Sequence, residues 1–141
     1  MKYAVLVASF FLIVAFSPMS TVTFSSLRGT PESDAVLVQW STSQEDGLSG
    51  FEVQKASAVD NQFYSLGSIN AAGPGSTYQF YDRAIYKTAS SAIFRYRVAA
   101  IGMDGSTVIA YSNIISVDFN YSSGLSGIAS KTWGSIKAMF R

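Results

Sequence analysis

The chain has 141 residues, a formal net charge of +1, no cysteine and no histidine. A chain of this length holds one domain, and the two missing residue types exclude disulfides, thiol chemistry, a Ser-His-Asp triad and most transition-metal sites. Aromatic residues make up 14% of the sequence and charged residues 13%, so we expect one well-packed core and few ionised groups for catalysis.

The N-terminal twenty residues have the order of regions found in a secretory signal peptide. A positive start at Lys2 is followed by an apolar run over 3–16 and by a small, helix-breaking stretch over 17–20. The apolar run is shorter than the ~20 residues that span a bilayer. Residues 1–20 are therefore predicted to be a signal peptide cut near Ser20, with an uncleaved N-terminal anchor as the alternative. Export without cysteine is more typical of a bacterial secreted or cell-envelope protein than of an animal one.

The body of the chain alternates between apolar and polar side chains, the pattern of strands with one buried and one solvent-facing side. In one run Phe94, Tyr96 and Val98 share a side. Arg95 and Arg97 lie on the opposite side. The alternation predicts seven strands, at 21–27, 34–41, 50–57, 62–69, 77–82, 92–102 and 107–119.

Turn-forming sequences separate these strands and predict loops at 42–49, 70–76 and 102–107. Asp104-Gly105 between two strand patterns is a strong β-hairpin signal. Gly73-Pro74-Gly75 is a loop breaker, since it lacks the lysine and the following helix of a phosphate-binding loop. Short strands spaced by such turns are typical of a Greek-key sandwich.

Several motifs follow one another in an order that resembles a fibronectin type III domain. The resemblance covers residues 21–119 and is closest in kind to modules of secreted and cell-surface bacterial proteins. It implies an all-β, seven-stranded, immunoglobulin-like Greek-key sandwich over 21–120, with Trp40 packed under aromatic residues of the third and sixth strands. The motifs are Val36-Leu-Val-Gln-Trp40, Gly50-Phe-Glu-Val-Gln54, Tyr78-Gln-Phe-Tyr-Asp82, Phe94-Arg-Tyr-Arg-Val-Ala-Ala100, Asp104-Gly105 and Tyr111-Ser-Asn-Ile-Ile-Ser-Val117.

The sequence departs from the family at the start of the sixth strand. The family often has a tyrosine there whose hydroxyl ties back to the chain, and this sequence has Phe94. Ser91 and Tyr96 are the candidates to replace that hydroxyl. The resemblance implies binding, adhesion or spacing and no catalysis, and it names no ligand.

No catalytic, cofactor or metal site is predicted. The carboxylates are scattered, and Glu45-Asp46, the only adjacent pair, lacks the Asp-x-Asp-x-Asp-Gly spacing of a calcium loop. A solvated turn is the expected role of that pair. Basic residues are not clustered, so no nucleic-acid partner is expected. Arg95 and Arg97 are candidate partner-binding residues, for an acidic partner or a sugar carboxylate; the simpler interpretation is a solvated strand face.

Residues 121–141 form a separate segment. Six basic and nine acidic residues give 21–123 a charge of −3, whereas 124–141 carries +3. Residues 121–127 have the composition of a Ser/Gly linker. An apolar stripe with helical spacing follows, and its residues are further partner-binding candidates: Trp133, Ile136, Met139 and Phe140. Four roles are open for this stripe. It could be a targeting signal recognised by a secretion or attachment apparatus, or it could dock on the sandwich or on a sister subunit. It could also contact an anionic membrane surface, or be a disordered end.

Taken as a whole, the sequence predicts an exported, non-catalytic binding or display module, secreted or at the cell surface, with a C-terminal targeting or attachment segment. Its partner would be a protein or a glycan at the cell surface. Two alternatives remain open. The chain could be a structural subunit of a surface assembly, or a carbohydrate-binding accessory module beside a separate enzyme.

Overall fold

A computed structural model describes residues 13–16, 19–85 and 91–120. Most of the predicted signal peptide, and the whole C-terminal segment with its apolar stripe, lie outside the described residues. No helix in the described part is long and apolar enough to cross a membrane. The described part contains eight strands: β1 Thr21–Pro31, β2 Val36–Asp46, β3 Leu48–Ser57, β4 Tyr64–Asn70, β5 Thr77–Asp82, β6 Ser91–Gly102, β7 Val108–Tyr111 and β8 Ile115–Asn120.

The strands form two antiparallel sheets in a β-sandwich-like arrangement. The first sheet has the order β1-β2-β5. The second has the order β4-β3-β6-β7, and β8 also pairs with β6. The predicted all-β class is therefore confirmed. The alternating side chains of both sheets place one apolar face of each against a shared core.

The core is built around a group of aromatic side chains. Trp40 is fully buried on β2. Its ring stacks on Tyr78 of β5 at 5.2 Å and meets the ring of Phe51, on β3, edge-on at 5.9 Å. Because Phe51 belongs to the other sheet, these rings join the two layers. The predicted burial of Trp40 is confirmed, and aromatic pairs of this geometry contribute about 0.5–1.5 kcal/mol beyond their buried area.

The prediction of a single last strand over 107–119 is wrong, because β7 and β8 are separate. The interruption centres on Ser112, which is buried. Its backbone N–H donates to Val98 O at 2.8 Å, and its hydroxyl oxygen accepts from the Val98 N–H at 2.9 Å. A side-chain oxygen thus stands where a carbonyl would continue the ladder, so pairing stops there and resumes at Ile115.

The predicted loop at 42–49 is also wrong. β2 runs on to Asp46 and β3 starts at Leu48, so Gly47 alone separates the two strands. Gly47 has a φ of 69°, a conformation that glycine adopts without steric cost. The polar sequence of this stretch was a turn signal, but its residues extend the ladder between β1 and β2.

A buried ionic cluster fastens the two sheets together. Asp82, at the end of β5, is 2% exposed. Its Oδ2 accepts from Lys55 Nζ of β3 at 2.7 Å and from the Tyr96 hydroxyl of β6 at 2.8 Å. Its Oδ1 accepts from the Ala84 N–H at 3.0 Å. Burial, reinforced by the Asp82 charge, raises the pKa of Tyr96, so this hydroxyl stays protonated and donates.

This cluster also accounts for the departure at the sixth strand. Phe94 is partly buried and packs against the core without a hydroxyl. Tyr96, two residues further along the same side of β6, supplies a hydroxyl that ties β6 to β5. The side chain of Ser91 is not among those described.

We expect Asp82→Ala to lower the free energy of unfolding by about 3 kcal/mol, because it removes a buried carboxylate and leaves the largely covered Lys55 ammonium, 15% exposed, without its counter-ion. Asp34→Ala is the matched control. It removes the exposed pair of Asp34 with Arg83, at 3.1 Å, and should cost less than about 1 kcal/mol. Urea denaturation of both variants measures the difference. Equal small losses would show that the buried cluster does not hold the sheets together.

Candidate functional site

The outer side of the second sheet carries an arginine held between two aromatic rings. The Arg97 guanidinium lies 4.0 Å from the centroid of Tyr111 and 4.2 Å from that of Phe63. Its Nε donates to Gln54 Oε1 at 2.7 Å. Each arginine–ring contact at an exposed site contributes about 0.5–1 kcal/mol. Two ring contacts and one hydrogen bond therefore fix the position of the guanidinium.

Strand register explains why these groups meet. Gln54 of β3 is directly opposite Arg97 of β6. Tyr111 of β7 is opposite Ala99, the next outward-facing residue of β6. Phe63 immediately precedes β4, whose Ser65 is opposite Gln54. Outward-facing positions on neighbouring strands lie close enough for aromatic and long side chains to touch.

Arg95 holds the segment that contributes Phe63. One of its Nη groups donates to the backbone oxygen of Asp60 and to Asn61 Oδ1, the latter at 3.1 Å. Its guanidinium also lies 5.7 Å from the Phe63 centroid. Arg95 thus orders the connection between β3 and β4. We call Gln54, Phe63, Arg95, Arg97 and Tyr111 the arginine face.

A cavity of about 400 Å³ opens on the same side of the sheet. This volume is within the range of small-molecule sites, about 300–1,000 Å³. Glu52 joins the cavity to the arginine face, since its Oε1 accepts from Gln54 Nε2 at 2.5 Å. The other polar lining groups are carried by Ser49, Ser68, Asn70 and Ser106, and the apolar ones include Ile101 and Val108.

The rim of this cavity includes the turn between β6 and β7. The predicted hairpin at Asp104-Gly105 is confirmed, with Gly105 at a φ of 74°. The Asp104 carboxylate accepts from the Ser106 N–H at 3.0 Å and from the Thr107 N–H at 2.9 Å. The Thr107 hydroxyl also donates to it. The three bonds hold Gly105 and Ser106 in place beside the cavity.

Glu45 lies near the C-terminal end of β2, in the first sheet. Its Oε1 accepts from the Tyr78 hydroxyl at 2.6 Å, and its Oε2 accepts from the Gly73 N–H at 2.9 Å. These bonds fasten the loop between β4 and β5, so the carboxylate has a structural role that the sequence did not indicate. Within the described ranges no group of three or more His, Cys, Asp or Glu residues could hold a metal ion.

A second cavity, of about 460 Å³, opens on the first sheet. Arg28 is the only charged residue among those that line it. The lining has no acid and base pair of the kind that general acid–base catalysis requires. Its remaining walls come from Ser25, Ser26, Leu27, Gln39, Trp40, Thr77 and Asn113.

The candidate residues chosen from the sequence divide into two groups. Arg95 and Arg97 lie on the outer side of β6, as the alternation indicated, and both have intramolecular partners. Their role in partner binding stays a prediction. The four apolar residues of the C-terminal stripe, 133–140, lie outside the described residues. Phe63 was not identified, and Tyr111 was not linked to Arg97, because alternation does not show which strands are neighbours.

No protein-family model, curated protein or solved structure matches the chain. The arrangement of side chains is therefore the basis for the functional argument.

Asp104 provides a pH test of the turn beside the cavity. Hydrogen bonds from the Thr107 hydroxyl, and then from the N–H groups of Ser106 and Thr107, lower the pKa of Asp104 from 3.8 to about 2. The carboxylate therefore stabilises the turn above the unfolded pKa, and this contribution is lost as the pH falls through about 2. Carboxyl-carbon NMR should show this low pKa.

Asp104→Asn is the control for that titration. In this variant the amide signals of Ser106 and Thr107 should no longer respond to acid around pH 2. A titration of Asp104 near the ordinary aspartate value of about 3.9 would contradict the capped turn in solution.

Proposed function

We propose that the chain is an exported, non-catalytic binding or display module of the fibronectin type III kind, secreted or held at a bacterial cell surface. The observation that carries this proposal is the Phe63–Arg97–Tyr111 stack. Tyr111 is 48% exposed, and the hydrophobic core does not include it. Aromatic residues and arginine are enriched at the centres of protein interfaces, so an ordered and partly exposed group of this composition favours binding.

The path of the chain supports the family assignment. It crosses from one sheet to the other between β2 and β3, between β4 and β5 and between β5 and β6. Such crossings are typical of Greek-key sandwiches. Trp40 of the second strand lies against Phe51 of the third, which is one of the two contacts that the resemblance implies. Its other ring contact is with Tyr78 of the fifth strand, where the resemblance implies the sixth.

The structural roles of three carboxylates favour binding over catalysis. Asp82 is paired with Lys55 inside the sandwich. Glu45 accepts from Tyr78 and Gly73. Asp104 caps a turn. A catalytic carboxylate needs a second titratable group nearby and access to a substrate, and the bonds of these three groups are used to hold the fold.

In this proposal residues 1–20 direct export and 121–141 locate the module, through a secretion or attachment apparatus. A structural subunit of a surface assembly is the second candidate. The specific observation in its favour is that, within the described part, β4 pairs only with β3 and β5 pairs only with β2. Strands with one free edge can accept a strand from a neighbouring molecule.

Location in the native host tests this proposal. The intact mass should show removal of the N-terminal segment near Ser20, and cell fractionation should place the chain outside the cytoplasm. A chain that ends at Gly127 should be processed in the same way and lose its normal location. A full-length mass in the cytoplasm would contradict export. If removal of residues 128–141 leaves the location unchanged, only the proposed targeting role of that segment is contradicted.

A further inference from the structure

Arg97 has an open edge suited to an anion. Its Nε is used by Gln54, whereas its two Nη groups have no hydrogen-bond acceptor among the described residues. The rings of Phe63 and Tyr111 lie 4.2 and 4.0 Å from the guanidinium carbon, so the two Nη groups are the part of the guanidinium left to a new ligand. In-plane approach to two N–H groups is the geometry of bidentate carboxylate binding.

The neighbouring cavity has a different chemistry. Glu52 supplies carboxylate oxygens, and Ser68 and Ser106 supply hydroxyls that both donate and accept. The Ser49 hydroxyl donates to Ile101 O at 3.3 Å, so it is left as an acceptor. Asn70 adds an amide. Such a lining suits a ligand with many hydroxyl groups. It is poorly suited to a second carboxylate, which Glu52 would repel.

The two features belong to one continuous surface. Glu52 and Gln54 are successive outward-facing residues of β3, and a hydrogen bond of 2.5 Å joins their side chains. Gln54 in turn accepts from Arg97 at 2.7 Å. Tyr111 is opposite Ala99, next to Arg97 on the outer side of β6, and it presents its half-exposed ring on the same side of the sheet.

We propose that this surface binds a carboxylated saccharide, with the sugar carboxylate on the Nη edge of Arg97 and sugar hydroxyls in the cavity beside Glu52. The inference rests on the proposed binding function and names its ligand class. A uronic acid unit combines one carboxylate with several hydroxyls on a rigid ring. The site has the same combination of one open cationic edge and one hydroxyl-binding cavity.

An acidic peptide fits this surface less well. A run of aspartate or glutamate side chains would place further negative charge near Glu52, and like charges in contact are unfavourable.

Titration calorimetry with a disaccharide that carries a single uronic acid unit tests the proposal on the exported chain. Arg97→Lys keeps the charge but removes the planar fork, and we expect it to weaken binding about tenfold or more. Arg83→Lys is the matched control, because Arg83 is an exposed arginine 5.5 Å from the ring of Tyr81 on the first sheet. It should leave the affinity unchanged.

Ser68→Tyr gives a second test that does not depend on Arg97. Ser68 is exposed on β4 and lines the cavity, so a tyrosine there fills the cavity without disturbing the core. We expect a similar loss of affinity. Unfolding temperatures of all three variants show whether any loss reflects a fold that no longer forms.

Three results would overturn the inference. The first is no calorimetric signal with the disaccharide that carries one uronic acid, and the second is equal binding of its neutral methyl ester. The third is equal or tighter binding of polyglutamate, which would identify an acidic peptide as the ligand. None of these three results contradicts the proposed binding function if the chain is located at the cell surface. A cytoplasmic chain would instead contradict that function.

Discussion

The structure depends on a buried contact between the two sheets, in which Asp82 accepts from Lys55 and Tyr96. Lys55 of β3 is directly opposite Tyr96 of β6. At the next position along the two strands, Gln54 is opposite Arg97. Because side chains alternate along a strand, the inward position of the first pair requires the second pair to face outward. A shift of one residue would bury Arg97 and expose Tyr96.

The link between the inward Lys55–Tyr96 pair and the outward Gln54–Arg97 pair explains how a small domain without disulfides can present an ordered surface. The ionic cluster and the aromatic core set the register of β3 against β6. That register places Gln54 beside Arg97, and two rings from the adjoining segments then close on the guanidinium. A guanidinium that is ordered before binding loses less conformational entropy when a ligand arrives. The stable interior therefore supports the proposed recognition of a carboxylate.

The sequence predicted the interior better than the surface. Alternation correctly placed Trp40, Phe51 and Tyr96 inside, because burial on one side of a strand leaves a direct mark in the sequence. It also placed Arg97 outside. It missed the split between β7 and β8, because the Ser112 hydroxyl interrupts the ladder without any apolar or turn signal. The Phe63–Arg97–Tyr111 stack depends on residues far apart in the chain, and their register cannot be read from local patterns.

Photo-crosslinking in the native host tests directly whether the arginine face is the contact surface of an exported module. Benzoylphenylalanine would replace Tyr111 or, as the matched control, Tyr81 of the first sheet, since the two tyrosines are 48% and 43% exposed. We expect a cell-surface adduct from position 111 and none from position 81. Adducts from position 81 alone, or from neither position, would contradict it.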